Sequence, residues 1–238
     1  TDIAVYMPLE DSWMAVEYSD SLKFPWVWGQ YEMRYIRTPE ILRGYQPLWV
    51  NNHFLKIAKI KDGKAYIGDA VFSALYIDVD YLDMDALVTI SKLAEKGLKV
   101  FLLNIVLQPG RIKSSFYQET LTKLLENKNV KHDFSISSLH KPLIEGNSLP
   151  DYWVREDGNM YYIFFANPKA RNLKYPLNYG QSFSDKDVKR SIKINLEKIT
   201  KEINLVFKQY QSILLSINKS GDYKFVDIGF NPQIPSVN

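Results

Sequence analysis

The sequence predicts two domains of different class: an α/β domain with a mainly parallel sheet over residues 1–135, then an antiparallel β-sandwich-like domain over residues 136–238. In the first part, buried strand patterns alternate with helical ones, and that order produces parallel strands joined by crossovers. In the second part, apolar and polar residues alternate with the period of two that is typical of half-buried strands. A chain of 238 residues is long enough for two such domains.

The first elements are a strand, a long irregular segment and a short helix. The apolar run Ile3–Met7 predicts a buried strand that ends at Pro8. Residues 9–46 are rich in aromatic and charged residues without a regular period, and loops of that length tend to be functional. Pro47–Ile57 is predicted to be a short helix with the proline in its first turn.

A hairpin and a strand–helix pair follow. Lys59–Ile67 is predicted to be a hairpin that turns at Asp62-Gly63. Ala74–Ile77 is a short apolar run typical of a buried strand. Asp83 is a good N-cap for a helix that reaches Lys96, and Gly97 suits the left-handed residue after its end.

The first domain closes with a further strand–helix–strand sequence. Lys99–Leu107 is apolar enough for a buried strand. Ser115 and Gln118 have the spacing of a capping box for a helix through Glu126. A short strand is predicted to begin at Val130.

The second domain is predicted to consist of antiparallel strands. Trp153–Asn167 has the pattern of a hairpin centred on Asp157-Gly158. Alternating or strand-like runs follow at Ser191–Leu196, Ile203–Lys208, Ser212–Ile217 and Tyr223–Phe230, with a turn at Ser220-Gly221.

Composition excludes several classes of function. The net charge is +3 and no dense run of Lys or Arg is present, so nucleic acid is not an expected partner. No apolar stretch has the ~20 residues of a membrane span. The chain contains no cysteine, which rules out disulfides, thiolate metal ligands and cysteine nucleophiles. Because an apolar run follows Thr1 almost directly, we expect a piece of a longer protein, with any targeting signal upstream.

Acidic residues cluster after the strand Ala74–Ile77. Asp78 and Asp80 would lie at the carboxyl edge of a parallel sheet, where ligands bind. Alternating carboxylates could hold a hard cation such as calcium. The alternative is structural, because Asp83 and Asp85 suit the cap and the positive end of the following helix. No other cofactor is expected.

An aromatic segment is the stronger candidate for binding. Trp13, Trp26 and Trp28 are interleaved with polar residues that include Glu32 and Arg34. Sugars present apolar C–H faces and hydroxyl groups, and aromatic rings beside carboxylates and guanidinium groups suit both. The alternative is that these rings pack on the sheet or on a neighbouring domain.

No catalytic motif stands out. The Gly-x-Ser-x-Gly of hydrolase nucleophile elbows and the glycine-rich phosphate loops are absent from the sequence. The histidines at 53, 132 and 140 lack metal-ligand spacing. No two of the 27 acidic residues are marked by their spacing as a glycosidase pair.

Several motifs together resemble the later part of large bacterial glycoside hydrolases of the α-L-rhamnosidase type. They are DIAVYMPLEDSW at Asp2–Trp13, EMRY at Glu32–Tyr35, GYQPLW at Gly44–Trp49, LPDYW at Leu149–Trp153, IFFANP at Ile163–Pro168 and YGQS at Tyr179–Ser182. The resemblance implies a flavodoxin-like or class I amidotransferase-like domain followed by a β-sandwich. It also implies a periplasmic or extracellular location and an upstream catalytic barrel that holds the catalytic carboxylates and the calcium.

Three hypotheses follow. The first is an accessory, non-catalytic segment of a glycoside hydrolase, whose partners are a carbohydrate or the barrel and whose matched positions Trp13, Trp49, Tyr152 and Trp153 are substrate-side or interdomain contacts. The second is a free-standing carbohydrate-binding protein. The third is a stand-alone hydrolase that uses Asp78 and Asp80. The reading frame upstream would separate the first two.

Overall fold

The predicted fold class is confirmed: an α/β part with a parallel sheet precedes a β-sandwich-like part. The computed structural model describes residues 2–14, 39–134, 139–166, 187–208 and 212–226. Two compact units divide the chain, Thr1–His140 and Lys141–Asn238. The change of domain was predicted to follow residue 135. Within the described ranges, no helix is long and apolar enough to cross a membrane.

The first unit contains four α-helices and eight strands among its described residues. The helices are α1 (Leu9–Met14), α2 (Asn52–Ile57), α3 (Met84–Glu95) and α4 (Tyr117–Leu125), with a 3-10 turn at Glu40–Leu42. The strands are β1 (Ile3–Tyr6), β2 (Pro47–Val50), β3 (Lys59–Lys61), β4 (Lys64–Ile67), β5 (Ala70–Phe72), β6 (Ala74–Ile77), β7 (Lys99–Leu102) and β8 (Val130–Lys131).

Five of these strands form a parallel sheet in the order β2-β1-β6-β7-β8. Counted along the chain within this sheet, the order is 2-1-3-4-5, which is the flavodoxin-like arrangement. The direction of winding reverses between β1 and β6, and ligands of such sheets bind beyond the carboxyl ends of the strands at that reversal. β3, β4 and β5 form a separate antiparallel sheet.

The two faces of the parallel sheet have different coverings. On one face, Ala4 and Tyr6 of β1 belong to a core that α2, α3 and α4 cover. On the other, Ile3 and Val5 pack in a second cluster. Ring contacts extend this second cluster, since Phe134 lies with its centroid 4.8 Å from that of Phe101. Burial of β1 on both faces explains its continuous apolar sequence.

Helix α3 has both predicted caps. The Asp83 carboxylate accepts a 2.6 Å hydrogen bond from the Ala86 N–H. Gly97 has a φ of 104°, and its N–H donates to the Ala94 carbonyl at 2.9 Å. The Leu98 N–H donates to the Leu93 carbonyl at 3.1 Å, which completes a Schellman motif.

The predicted helix over Pro47–Ile57 is wrong in its first half. Pro47–Val50 form β2 instead and pair with β1. An edge strand can begin with proline because the missing N–H has no partner to lose there. The helix starts only after Asn51, whose side chain accepts the Phe54 N–H at 3.3 Å.

The segment before α4 also differs from the prediction. Strand β7 ends at Leu102, not at Leu107. The N-cap of α4 is Phe116, and no side chain caps it, so the capping box at Ser115 is wrong. The Ser114 hydroxyl accepts the Phe116 N–H at 3.3 Å instead.

The described residues of the second unit form two antiparallel sheets around one core. One sheet has the order β10-β11-β14-β15 and the other β13-β12-β9, and inward residues such as Phe165 and Ile192 share a single apolar cluster. Asp157 pairs with Met160, so the predicted hairpin turns at Gly158-Asn159, one residue later than expected. The strands are β9 (Ile144–Glu145), β10 (Asp151–Asp157), β11 (Met160–Ala166), β12 (Val188–Asn195), β13 (Thr200–Phe207), β14 (Ile213–Asn218) and β15 (Tyr223–Val226).

Candidate ligand-binding edge of the parallel sheet

Polar side chains meet beyond the carboxyl ends of three neighbouring strands, β1, β6 and β7. Asp11 lies on α1 after β1, Asp78 and Asp80 follow β6, and Asn104 follows β7. We call these loops the carboxyl edge. They adjoin the reversal point of the sheet, where flavodoxin-like folds bind ligands.

Asp11 ties α1 to the loop after β6. Its carboxylate accepts the Asp80 N–H, which lies 3.1 Å from each of its two oxygens. It also accepts the Tyr81 N–H at 2.7 Å. A charged acceptor strengthens such bonds, so Asp11 holds the 80–81 backbone in place.

Asn104 gathers the two aspartates that the sequence singled out. Its Nδ2 lies 3.2 Å from Asp78 Oδ1 and 3.4 Å from Asp80 Oδ1, and it also lies 3.4 Å from the Val79 carbonyl. The loop behind it pairs with the loop after β6, because the Leu107 N–H donates to the Asp80 carbonyl at 2.8 Å. Asp78 and Asp80 therefore lie side by side around one amide donor.

This arrangement offers few ligands to calcium. Calcium takes six to eight oxygen ligands, whereas Asn104 presents an NH₂ group, not an oxygen, to both aspartates. Over the described ranges, no group of three or more His, Cys, Asp or Glu side chains could hold a metal ion. Asp78 and Asp80 alone do not complete such a site.

Glu10 is a buried carboxyl next to this edge. It is 3% exposed, and its Oε1 accepts the Tyr6 hydroxyl at 2.7 Å. Its Oε2 is buried, and no hydrogen bond within the geometric limits joins it to another described residue. Burial raises the pKa of Glu10, although the Tyr6 hydroxyl and the backbone N–H groups of Glu10 and Asp83 act in the opposite direction. Burial and the neighbouring Glu10 raise the pKa of Tyr6 strongly as well.

The raised pKa of Glu10 predicts a pH dependence of stability. The folded chain holds this proton more tightly than the unfolded chain, whose glutamate titrates near 4.5. The contribution of Glu10 is therefore complete below that pH and is lost as the pH rises through the folded pKa. Glu10→Gln removes this titration, so we expect wild type to lose stability relative to the variant as the pH rises above 4.5.

Urea denaturation of both proteins across this range measures the difference. Glu95→Gln, which neutralises an exposed carboxylate on α3, is the matched control for the loss of one surface charge. A free energy of unfolding of wild type that stays constant or rises relative to that of Glu10→Gln as the pH increases contradicts the prediction.

The helix and loops that carry the polar groups of the carboxyl edge also carry exposed apolar side chains. Trp13 of α1 is 70% exposed. The next residue, Met14, accepts the Gly110 N–H through its sulfur at 3.3 Å, which places α1 against the loop after β7. That loop exposes Ile105 and Ile112 to solvent. The edge thus combines carboxylates, an amide and uncovered apolar surface, a combination typical of interaction sites.

No protein-family model matches the chain, and no curated protein matches it. The geometry of its own residues is therefore the basis for any assignment of function.

The other predicted site residues are distributed over the molecule. Trp49 is partly buried against the second core cluster of the parallel sheet. Tyr152 packs on the sandwich core, with its ring centroid 6.3 Å from that of Phe165. Trp153 is 71% exposed. The remaining predicted residues lie outside the described ranges: Trp26, Trp28, Glu32 and Arg34.

Asn104 and the burial of Glu10 were not anticipated from the sequence. An amide just after the end of a parallel strand is a usable signal of a site, because the carboxyl ends of parallel strands share one edge. The strand was predicted to continue to Leu107, and this error placed Asn104 inside it. Nothing in the sequence around Glu10 distinguishes it from Asp11, which is partly exposed.

Proposed function

We propose that this chain is an accessory, non-catalytic segment of a carbohydrate-degrading glycoside hydrolase of the α-L-rhamnosidase type. The observation that carries the proposal is the carboxyl edge, where the helix that carries the exposed Trp13 is bonded through Asp11 to the loop of Asp78 and Asp80. An indole face packs on the C–H side of a sugar, and carboxylate and amide groups bond its hydroxyls. The sequence resemblance supports the same assignment.

An accessory role agrees better with the carboxyl groups of this edge than a catalytic one. A glycosidase needs two carboxyl groups that flank the glycosidic bond of its substrate. One of them has a raised pKa and faces the substrate as the general acid, and the other is an ionised carboxylate. Glu10 is the acid of this edge whose pKa is raised, and it is buried beneath the surface and bonded to Tyr6. In this proposal an upstream barrel supplies catalysis, and the whole protein acts in the periplasm or outside the cell.

The purified chain tests the proposal directly. We expect no hydrolysis of aryl α-L-rhamnosides, and weak binding of α-L-rhamnosyl oligosaccharides by isothermal titration calorimetry. Trp13→Ala should weaken that binding by about 2–10-fold, because an aromatic contact contributes roughly 0.5–1.5 kcal/mol. Trp13→Phe keeps an aromatic ring and should retain most of the affinity.

Two results would contradict the proposal. Equal affinities of wild type and Trp13→Ala for the oligosaccharides would mean that the carboxyl edge does not bind sugar. Robust turnover that Asp78→Asn abolishes would favour the second candidate, a stand-alone hydrolase. The observation that favours this candidate is the pairing of Asp78 and Asp80 around Asn104.

A further inference from the structure

The outward face of the four-stranded sheet in the second unit carries an ordered set of exposed rings and cations. Residues directly opposite one another in an antiparallel sheet share a face. One row across the four strands is Trp153, Phe164, Leu214 and Val226. The next row is Arg155, Tyr162, Ser216 and Lys224. We call these two rows the outer sheet face.

The first row is an apolar strip. Trp153 is 71% exposed and its cross-strand neighbour Phe164 is 41% exposed. Their inward neighbours Tyr152 and Phe165 pack on the sandwich core, so alternation along the strands directs Trp153 and Phe164 outward. Strands in a sheet lie about 4.8 Å apart, so the two exposed rings occupy neighbouring positions on one face, which we call the aromatic platform.

The second row provides charge and hydrogen bonds. Arg155, Tyr162 and Lys224 are all exposed. Within the described ranges, neither Arg155 nor Lys224 forms a salt bridge or has its side chain hydrogen-bonded. The rows are two residues apart along each strand, roughly 7 Å. Arg155 therefore lies on the same strand as Trp153, one row away from it, and Lys224 lies on β15, two strands from Phe164.

The acidic groups on the same face lie at the ends of β10. Asp151 and Asp157 flank Trp153 and Arg155 along that strand. The two middle strands of the face carry aromatic, aliphatic and hydroxyl groups, the cations Arg155 and Lys224 lie on the outer strands β10 and β15, and carboxylates lie at both ends of β10. A ligand that complements this pattern has an apolar face, hydroxyl groups and negative charges.

We propose that the outer sheet face binds an acidic polysaccharide, one whose sugar units carry carboxylate groups. Trp153 and Phe164 stack on the C–H faces of the sugars, and Tyr162 and the two aspartates bond their hydroxyls. Arg155 and Lys224 pair with the carboxylates, Arg155 in bidentate geometry. This surface belongs to the second unit and shares no residue with the carboxyl edge. An experiment that disproves binding at one of the two sites therefore does not contradict binding at the other.

Affinity electrophoresis and calorimetry with polygalacturonate test the proposal, with the fully methyl-esterified polymer as the uncharged ligand. We expect wild type to prefer the charged polymer. Trp153→Ala should weaken binding by about tenfold, as expected for loss of a stacking ring. Phe54→Ala removes an exposed ring in the first unit and is the matched control.

The double variant Arg155→Gln/Lys224→Gln should lose the preference for the charged polymer. Lys59→Gln/Lys64→Gln removes two exposed charges from the first unit and should keep that preference, which separates a local site from the net charge of the chain. Equal effects of the two double variants, or unaltered binding by Trp153→Ala, would overturn the proposal.

Three further outcomes also overturn it. Equal affinity for both polymers would mean that the face binds neutral sugars. Binding that disappears in 150 mM salt in wild type and Trp153→Ala alike would mean screened, non-specific attraction. No binding of either polymer, with Trp153→Ala abolishing a concentration-dependent dimer in sedimentation experiments, would assign the face to a second copy of the chain.

Discussion

Phe165→Ala is expected to lower the free energy of unfolding of the second unit by about 3–5 kcal/mol. Phe165 is fully buried on β11 and belongs to the core that both sheets of the sandwich share. Its replacement removes a ring from that core and leaves a cavity that antiparallel strands on both sides cannot close without moving. Phe164, the preceding residue, faces outward, so Phe164→Ala should cost less than about 1 kcal/mol.

This pair is a stringent test because the two variants remove the same side chain from adjacent positions. Urea denaturation followed by circular dichroism gives the loss of stability, and hydrogen exchange with mass spectrometry assigns it to β11 and β14. Similar losses for the two variants would mean that the assigned register, in which Phe165 faces inward opposite Ile213, is wrong.

Asp11→Ala is expected to cost about 1–3 kcal/mol, the range for hydrogen bonds to a charged acceptor and for the donors left behind. The carboxylate accepts two backbone N–H groups from the loop after β6, those of Asp80 and Tyr81. The Tyr81 bond is partly buried, so water replaces it incompletely. Asp11→Asn keeps one oxygen acceptor and should cost less than Asp11→Ala.

Amide exchange gives this prediction a local readout. The Asp80 and Tyr81 amides should exchange faster in Asp11→Ala, while the amides of β13 serve as an internal reference. Unaltered exchange at residues 80–81, or a larger loss of stability in Asp11→Asn than in Asp11→Ala, would mean that the carboxylate does not hold this loop.

The caps of α3 and the strands of the second unit could be predicted from the sequence, because interactions between residues close in the chain determine them. The caps of α3 depend on Asp83 and Gly97, whose side-chain oxygen and left-handed φ act within one helical turn. The antiparallel strands of the second unit follow from alternation alone, because a buried face requires every second residue to be apolar. Gly158 required a positive φ at the hairpin turn and was predicted near its correct place.

Pairing between distant segments could not be predicted in the same way. Pro47–Val50 is compatible with a helical first turn, and only the neighbouring β1 makes it a strand. The partners of Asp11 are about 70 residues away along the chain, and the carboxyl groups of Glu10 and Asp11 differ in environment because α1 has one buried side. Such contacts come from tertiary packing, which composition and periodicity do not encode locally.

The strand order has a consequence for how the chain is assembled during synthesis. β1 is synthesised before both of its neighbours in the sheet, β2 and β6, which are completed only at Val50 and Ile77. Until then a strand buried on both faces has no sheet to join. Each of β6, β7 and β8 is joined to the next by one short helix, so the contacts among these three strands are local in sequence and can form quickly. The sheet that they form is then the template on which β1 pairs. Nascent chains that stop before Ile77 should therefore depend on a chaperone to shield Ile3–Tyr6.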